Sequence, residues 1–294
     1  MAYEFKINEP PPHIHPADWG NWKWQFKNAL TSMDQFKAYF SLSEDEEAAF
    51  LKSQGLFQIR VTPYYANLAS SIEPIRKILM PHMSELTPGA QQMLDPLGER
   101  KNNPAPRIIH RYPDRCLFLV TDFCSVYCRY CTRKHFTGKD QAFPSKTDYQ
   151  LSLDYIANTP QIREVILSGG DPLTLGDQRL EKILSDLKQI PHVDLIRVGS
   201  RIPTVAPMRI TDELVSLFKR YKPIYFMAHF NHPKEITAES AHALEKLVDH
   251  GVPVFNQMVL LNGVNNHPAV VYALSRPCRG AHHRDIPTRS RACS

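Results

Sequence analysis

The chain has no long apolar run. No stretch approaches the ~18 consecutive apolar residues that read as a membrane helix. The Met1-Ala2-Tyr3-Glu4-Phe5 start also lacks the apolar core of a signal peptide. Both absences lead us to expect a cytoplasmic protein with no membrane partner. Six cysteines in 294 residues are too few for a disulfide scaffold. No Gly-x-Gly-x-x-Gly follows any apolar run, so a dinucleotide-binding fold lacks its phosphate turn. Excess charge is small, +5, and most arginines stand beside glycines, prolines and cysteines instead of along one basic face, so no nucleic-acid partner is expected. Lysine runs out: none follows Lys246.

What is present is ample for a core. Hydrophobic residues make up 43% of the chain, and the length suits one large domain or two ordinary ones. Residues 1–18 are proline-rich and read as an extended arm. From Trp19 an apolar helical period begins, broken at Thr31-Ser32, where a second helix can be capped. Ser43-x-x-Glu46 is a capping-box signature for a helix over about 44–54, with further helices at 72–80 and 88–94. We read 1–104 as an arm and helical region.

From residue 105 the rhythm becomes strand, loop, helix. Strands are expected at 115–121, 163–168, 193–198, 223–229 and 253–260, with helices at 147–158, 177–188, 211–219 and 237–249 between them. Near-continuous apolar strands alternating with helices predict an α/β fold, a partial (β/α) barrel over 105–273 with the helices outside. The segment 274–294 is arginine-rich and aperiodic where a sixth strand is expected, and reads as an irregular tail, truncated or frame-shifted.

Chemistry concentrates after the first of these strands. Cys124, Cys128 and Cys131 follow a C-x3-C-x2-C spacing. Structural zinc sites use four ligands, usually as two close pairs. A zinc completed by a histidine such as His135 is one reading. The other is a [4Fe–4S] cluster on three thiolates, which leaves one iron open to a small molecule. Cys116, a strand length upstream, reads as core. Ser168-Gly169-Gly170-Asp171 ends the second strand, where paired glycines let backbone approach a ligand and Asp171 can accept hydrogen bonds. Arg111 and Arg115 flank the entry to the first strand, and their guanidinium forks suit phosphate or carboxylate. Ser200 and Arg201 follow the third strand, and His229 ends the fourth. Gln257 is a polar residue in an apolar run, facing an interior cavity or satisfied in the core.

The form CSVYCRYC, with an aromatic before Cys131, resembles the cluster motif of the radical S-adenosylmethionine (SAM) superfamily. HRYPDRCLFLVTDFCSVYCRYCTRKHFTG, LSGGDPL, VGSRIPT, HFNHPKEIT and NQMVLLNGVN together resemble the lysine 2,3-aminomutase family, over about Trp19 to Tyr272. The resemblance implies an isomerase that moves the α-amino group of an L-α-amino acid to the β-carbon, using a [4Fe–4S] cluster, SAM and pyridoxal 5′-phosphate (PLP). It implies Cys124, Cys128 and Cys131 as the metal ligands and Arg133 as the arginine for the substrate carboxylate. It places Ser168, Gly169, Gly170 and Asp171 at the SAM amino group. It places Arg111 and Arg115 near the PLP phosphate, and Ser200, Arg201, His229 and Gln257 at SAM or PLP. A small amino-acid substrate, a cellular one-electron reductant and, for the full-length family, a homo-oligomer follow as partners. Related substrates are glutamate and the lysine used in elongation factor P modification.

Two departures from that pattern matter. The resemblance puts an aspartate for the substrate ε-ammonium after a Gly-hydrophobic-Asn triplet, where this chain has Asn266. It also puts a PLP-binding lysine well downstream of the fifth strand, where this chain has none. No catalytic residue is therefore identifiable, and impaired PLP attachment is expected in a chain that still binds a cluster.

Overall fold

Six strands form a single sheet in the order β1-β2-β3-β4-β5-β6. They are β1 Ile108–Tyr112, β2 Arg115–Thr121, β3 Glu164–Gly169, β4 Leu195–Ser200, β5 Ile224–Ala228 and β6 Val254–Asn256. The computed structural model describes residues 5–86, 95–134, 137 and 143–275. The helix expected at 88–94 falls wholly outside these residues, and so does the tail beyond Ser275.

β2 to β6 pair in parallel, as the strand–helix alternation predicts. β1 is an addition: it pairs antiparallel with β2 through the two-residue turn Pro113-Asp114, in register Tyr112 opposite Arg115. IIHRY is apolar only at its first two residues, so period alone hides it, although a Pro-Asp pair between extended runs is a turn signal. β6 is shorter than expected because side chains take over its backbone partners. The Val259 N–H donates to Asn231 Oδ1 at 2.9 Å and the Leu261 N–H to Asn265 Oδ1 at 2.7 Å.

Alternation along the strands separates two faces. Cys116, Phe118 and Val120 of β2 and Val165 and Leu167 of β3 are buried on the outer face. The helices Lys146–Ala157, Asp177–Lys188, Asp212–Arg220 and Ala238–Asp249 connect successive strands and supply that outer layer. In Asp177–Lys188 the positions Leu180, Ile183, Leu184 and Leu187 are all 0% exposed. Each such side chain contributes about 1.5–3 kcal/mol of burial, which fixes the helix to the sheet. Arg115, Leu117 and Leu119 of β2, Glu164, Ile166 and Ser168 of β3, and Arg197 and Gly199 of β4 alternate with the buried set. They face the other way, onto the inner surface of a partial (β/α) barrel.

The N-terminal helices pack into the same apolar core: Phe36, Phe50, Tyr65 and Ile75 join Val126 and Val205 in one cluster. Their breaks follow the caps read from sequence. Ser32 and Gln35 make a capping box, as do Ser43 and Glu46. The proline-rich arm differs from expectation by carrying one helical turn, Pro16–Trp19, with proline at its start. It is also pinned: Asn8 Nδ2 donates to the Tyr64 carbonyl at 2.8 Å, and Trp19 Nε1 donates to the Asn8 carbonyl at 2.9 Å.

Candidate active site

The cysteine loop leaves β2 at its C-terminal end. The N-terminal helical region holds it by backbone bonds: the Tyr127 N–H donates to the Arg60 carbonyl at 3.1 Å and the Arg129 N–H to the Ile78 carbonyl at 2.9 Å. Cys124, Cys128 and Cys131 are partly buried free thiols. Burial pushes the Cys124 thiol well up, and the charges of Cys131, Asp171 and Cys128 push it further. The Cys131 thiol is raised by burial and by Cys128. Cys116 stands apart in the outer core, where burial pushes its thiol up to about 12.

The turn after β3 meets this loop backbone to backbone. A side chain at Gly169 (φ +120°) would place its Cβ 2.1 Å from the Thr121 carbonyl oxygen, and one at Gly170 would lie 2.3 Å from that of Phe123. Only glycine permits the approach. The contact lets the Asp171 N–H donate to the Phe123 carbonyl at 2.9 Å. The Asp171 carboxylate then accepts from Ser200 Oγ at 2.7 Å, the Arg201 N–H at 2.8 Å and the Leu173 N–H at 3.0 Å. Burial nevertheless leaves its carboxyl above the ordinary value. Asp171 thus ties the ends of β3 and β4 together, and Ser200 serves it.

Arg201 is the hub. Its Nη1 donates to Cys128 Sγ at 2.6 Å and to the Tyr130 hydroxyl at 2.9 Å. Its Nη2 donates to Glu235 Oε1 at 2.7 Å and also bonds the Tyr65 hydroxyl. Glu235 is 0% exposed, and its other oxygen accepts from the backbone N–H groups of Asn231 and His232. The Tyr65 hydroxyl donates to Glu235, and Asn231 Nδ2 donates to the Tyr130 hydroxyl at 2.8 Å. Burial opposes the Arg201 charge, but Cys128, Tyr130, Tyr65 and Glu235 outweigh it and hold the guanidinium charged.

Two further arginines sit on the loop. Arg133 makes a bidentate pair with Glu99 at 2.6 and 2.8 Å, and its Nη1 donates to Ser168 Oγ at 3.0 Å. Arg133 and Glu99 line a cavity of about 390 Å³ on the inner face, with Ile109, Leu119, Asp122 and Gly169. Burial lowers the Arg133 pKa, but Glu99 more than restores it. Arg129 pairs with Glu85 at 2.9 Å and lies 3.7 Å from the Phe57 ring centre.

The remaining sequence-derived residues divide. His229 is half-buried below the same rim. Its carbonyl accepts from Thr204 Oγ1 at 2.8 Å, and burial, with Arg201, lowers its ring pKa to about 4. Gln257 is half-buried, and its N–H donates to the Ala228 carbonyl at 2.7 Å beside the edge of the sheet. Arg111 and Arg115 are not brought to the cysteine loop. Arg115 opens β2 while the loop leaves its other end, roughly 20 Å away at about 3.3 Å per residue. Arg115 pairs with Asp114 at 3.0 Å, and Arg111 is exposed. Asn266, which stands where the resemblance puts an aspartate, is exposed and closes a surface turn, with Oδ1 accepting from the Gly263 N–H at 3.0 Å and Nδ2 donating to Asn262 Oδ1 at 2.8 Å.

Sequence reading missed Tyr65, Glu85, Glu99, Tyr130 as a hydrogen-bonding group, and Glu235. Two of them left a signal: His82-x-x-Glu85 and His232-x-x-Glu235 are capping boxes, formed here as such.

Among the described residues, no three His, Cys, Asp or Glu side chains converge closely enough to hold a single ion. His135, the proposed fourth zinc ligand, lies outside them. Three thiols at separate points on one loop suit a wider, polynuclear cationic group, which would ionise all three. Two guanidinium nitrogens at the loop, Arg201 Nε and Arg129 Nη1, are buried with no partner. Such orphans are costly unless an acceptor belongs beside them.

The sequence profile of the Radical SAM superfamily matches residues 118–273. An L-lysine 2,3-aminomutase from Fusobacterium nucleatum is 45% identical over 267 residues, covering 90% of this chain and 63% of that protein. A glutamate 2,3-aminomutase from Clostridioides difficile is 44% identical over 263 residues, covering 88% and 62%. An L-lysine 2,3-aminomutase from Haemophilus influenzae is 36% identical over 259 residues, covering 87% and 76%. The chain spans a little under two thirds of the length of the first two of these relatives.

Proposed function

This chain belongs to the lysine 2,3-aminomutase family of the radical SAM superfamily, and from that premise we propose that it is a 2,3-aminomutase for a small L-α-amino acid. Cys124, Cys128 and Cys131 would hold a [4Fe–4S] cluster whose open iron takes SAM. Cluster and SAM, once bound and given one electron by a cellular reductant, supply the radical that removes a substrate hydrogen, and PLP supplies delocalisation for the migrating amino group. The chain's own part is recognition and exclusion of water. Gly169 and Gly170 leave backbone open to the SAM amino group, with Asp171 holding the turn. Arg133 offers its fork to the substrate carboxylate in the place Glu99 fills here. Lysine and glutamate are both open as substrates.

One observation carries the reading: the three-thiol loop opens on the same strand ends as Gly169, Gly170, Arg133 and Arg201. The test is anaerobic reconstitution with iron and sulfide, then SAM and dithionite with lysine or glutamate, read by mass spectrometry. The expected products are 5′-deoxyadenosine and a β-amino acid. A protein that holds about four irons per chain yet makes neither product overturns the proposal.

A further inference from the structure

Arg201, expected at SAM or PLP, donates to a cysteine of the loop. Its Nη1 lies 2.6 Å from Cys128 Sγ, and the other guanidinium nitrogen is held from behind by Glu235 and Tyr65. The group is 7% exposed, so its charge is poorly screened by water. Tyr65 comes from the helix Pro63–Ser70, Glu235 from the turn after β5, and Arg201 itself from the end of β4. Three elements packed in the core thus fix one donor on one sulfur, which no surface salt bridge does.

Hydrogen bonds and positive charge at a ligating sulfur stabilise the more negative, reduced state of an iron–sulfur centre and raise its potential. We propose that Arg201 is a positioning residue that sets the reduction potential of the cluster through Cys128, with Tyr65 and Glu235 as its clamp. The inference rests on the cluster assignment above. The step concerned is addition of one electron from an external reductant, taking the cluster from its 2+ to its 1+ state, with no bond made or broken at Arg201. The bond strengthens as the sulfur gains charge on reduction, so its loss should shift the reduction equilibrium about tenfold, equivalent to about 59 mV for one electron.

The experiment is a redox titration of the reconstituted full chain, followed by electron paramagnetic resonance without SAM or substrate. Arg201→Met should lower the midpoint by that amount while iron content stays at wild type. Arg201→Lys, which keeps the charge, should recover part of it. Where Arg201→Met fails to take up iron, Tyr65→Phe decides: it leaves the Cys128 contact in place but removes one arm of the clamp, and should lower the midpoint by a smaller amount. Iron-replete variants with the wild-type midpoint overturn the inference. A wild-type chain that takes up no cluster fails differently, since it sinks the family-based assignment before Arg201 is in question.

Discussion

The two ends of the sheet use the same residue types in opposite ways. At the C-terminal ends of the strands, Arg201, Glu235, Asp171 and Asn231 are buried and share partners across four elements. At the N-terminal ends, Arg111 is exposed, Arg115 pairs with the adjacent Asp114, and Arg163 pairs with Asp194 at the surface. An arginine in sequence therefore says little until its depth is known. One end has its polar groups fixed in a single arrangement, which is what positioning ligands for chemistry needs. The other leaves its groups hydrated.

Removing one partner at each end should expose this difference most strongly. Glu235→Ala strips the counter-charge from a buried guanidinium and orphans the N–H groups of Asn231 and His232. The expected loss is about 3–5 kcal/mol in a urea melt. A loss below 1 kcal/mol would mean that water reaches Arg201, and the contrast between the two ends would collapse.

Glycines give a second contrast, of somewhat smaller size. Gly169→Ala puts a methyl into the Thr121 carbonyl at a φ of +120°, and the atom it meets is backbone, not the tip of a flexible side chain. It should cost about 3 kcal/mol and cut iron uptake, because it pushes the β3 turn away from the cysteine loop. Gly176→Ala, with nothing within 4 Å of the new methyl, should change stability by less than about 0.5 kcal/mol. Equal thermal shifts for the two variants would show that the close approach at Gly169 is dispensable.

The same depth argument explains what sequence could and could not reveal. β2 was legible to the residue, because an apolar run between a turn and a polar loop has one reading. The helix Asp177–Lys188 was equally legible from its i, i+3, i+4, i+7 leucines and isoleucine. The three cysteines and the glycine pair were found because spacing or backbone freedom carries their chemistry locally. Tyr65, Glu85 and Glu99 were not found, because each acts on a residue 34 to 170 positions away. The one local mark among them, the His82-x-x-Glu85 capping box, signals only the start of a short helix. For Arg201 the loop that bears it was legible, whereas its contact with Cys128, 73 residues away, is a product of the fold. Asn266 is the opposite case, since its contacts are local and the turn it closes absorbs both ends of its amide.

The smallest effect is expected at the exposed end. Arg163 and Asp194 form a short two-point contact, yet their side chains are 58% and 56% exposed. Water already solvates both, so the pair gains little over its separated partners, and holding two flexible side chains together costs entropy. Asp194→Asn should therefore lower stability by no more than about 1 kcal/mol. In about 1 M salt, where the screening length falls to ~3 Å, the remaining difference from wild type should vanish. The same salt should leave the Glu235→Ala loss largely in place, because ions do not enter the packed layer around Arg201. If salt erases both losses alike, Arg201 and Glu235 are no better shielded than the surface pair, and burial is not what separates the two ends of the sheet.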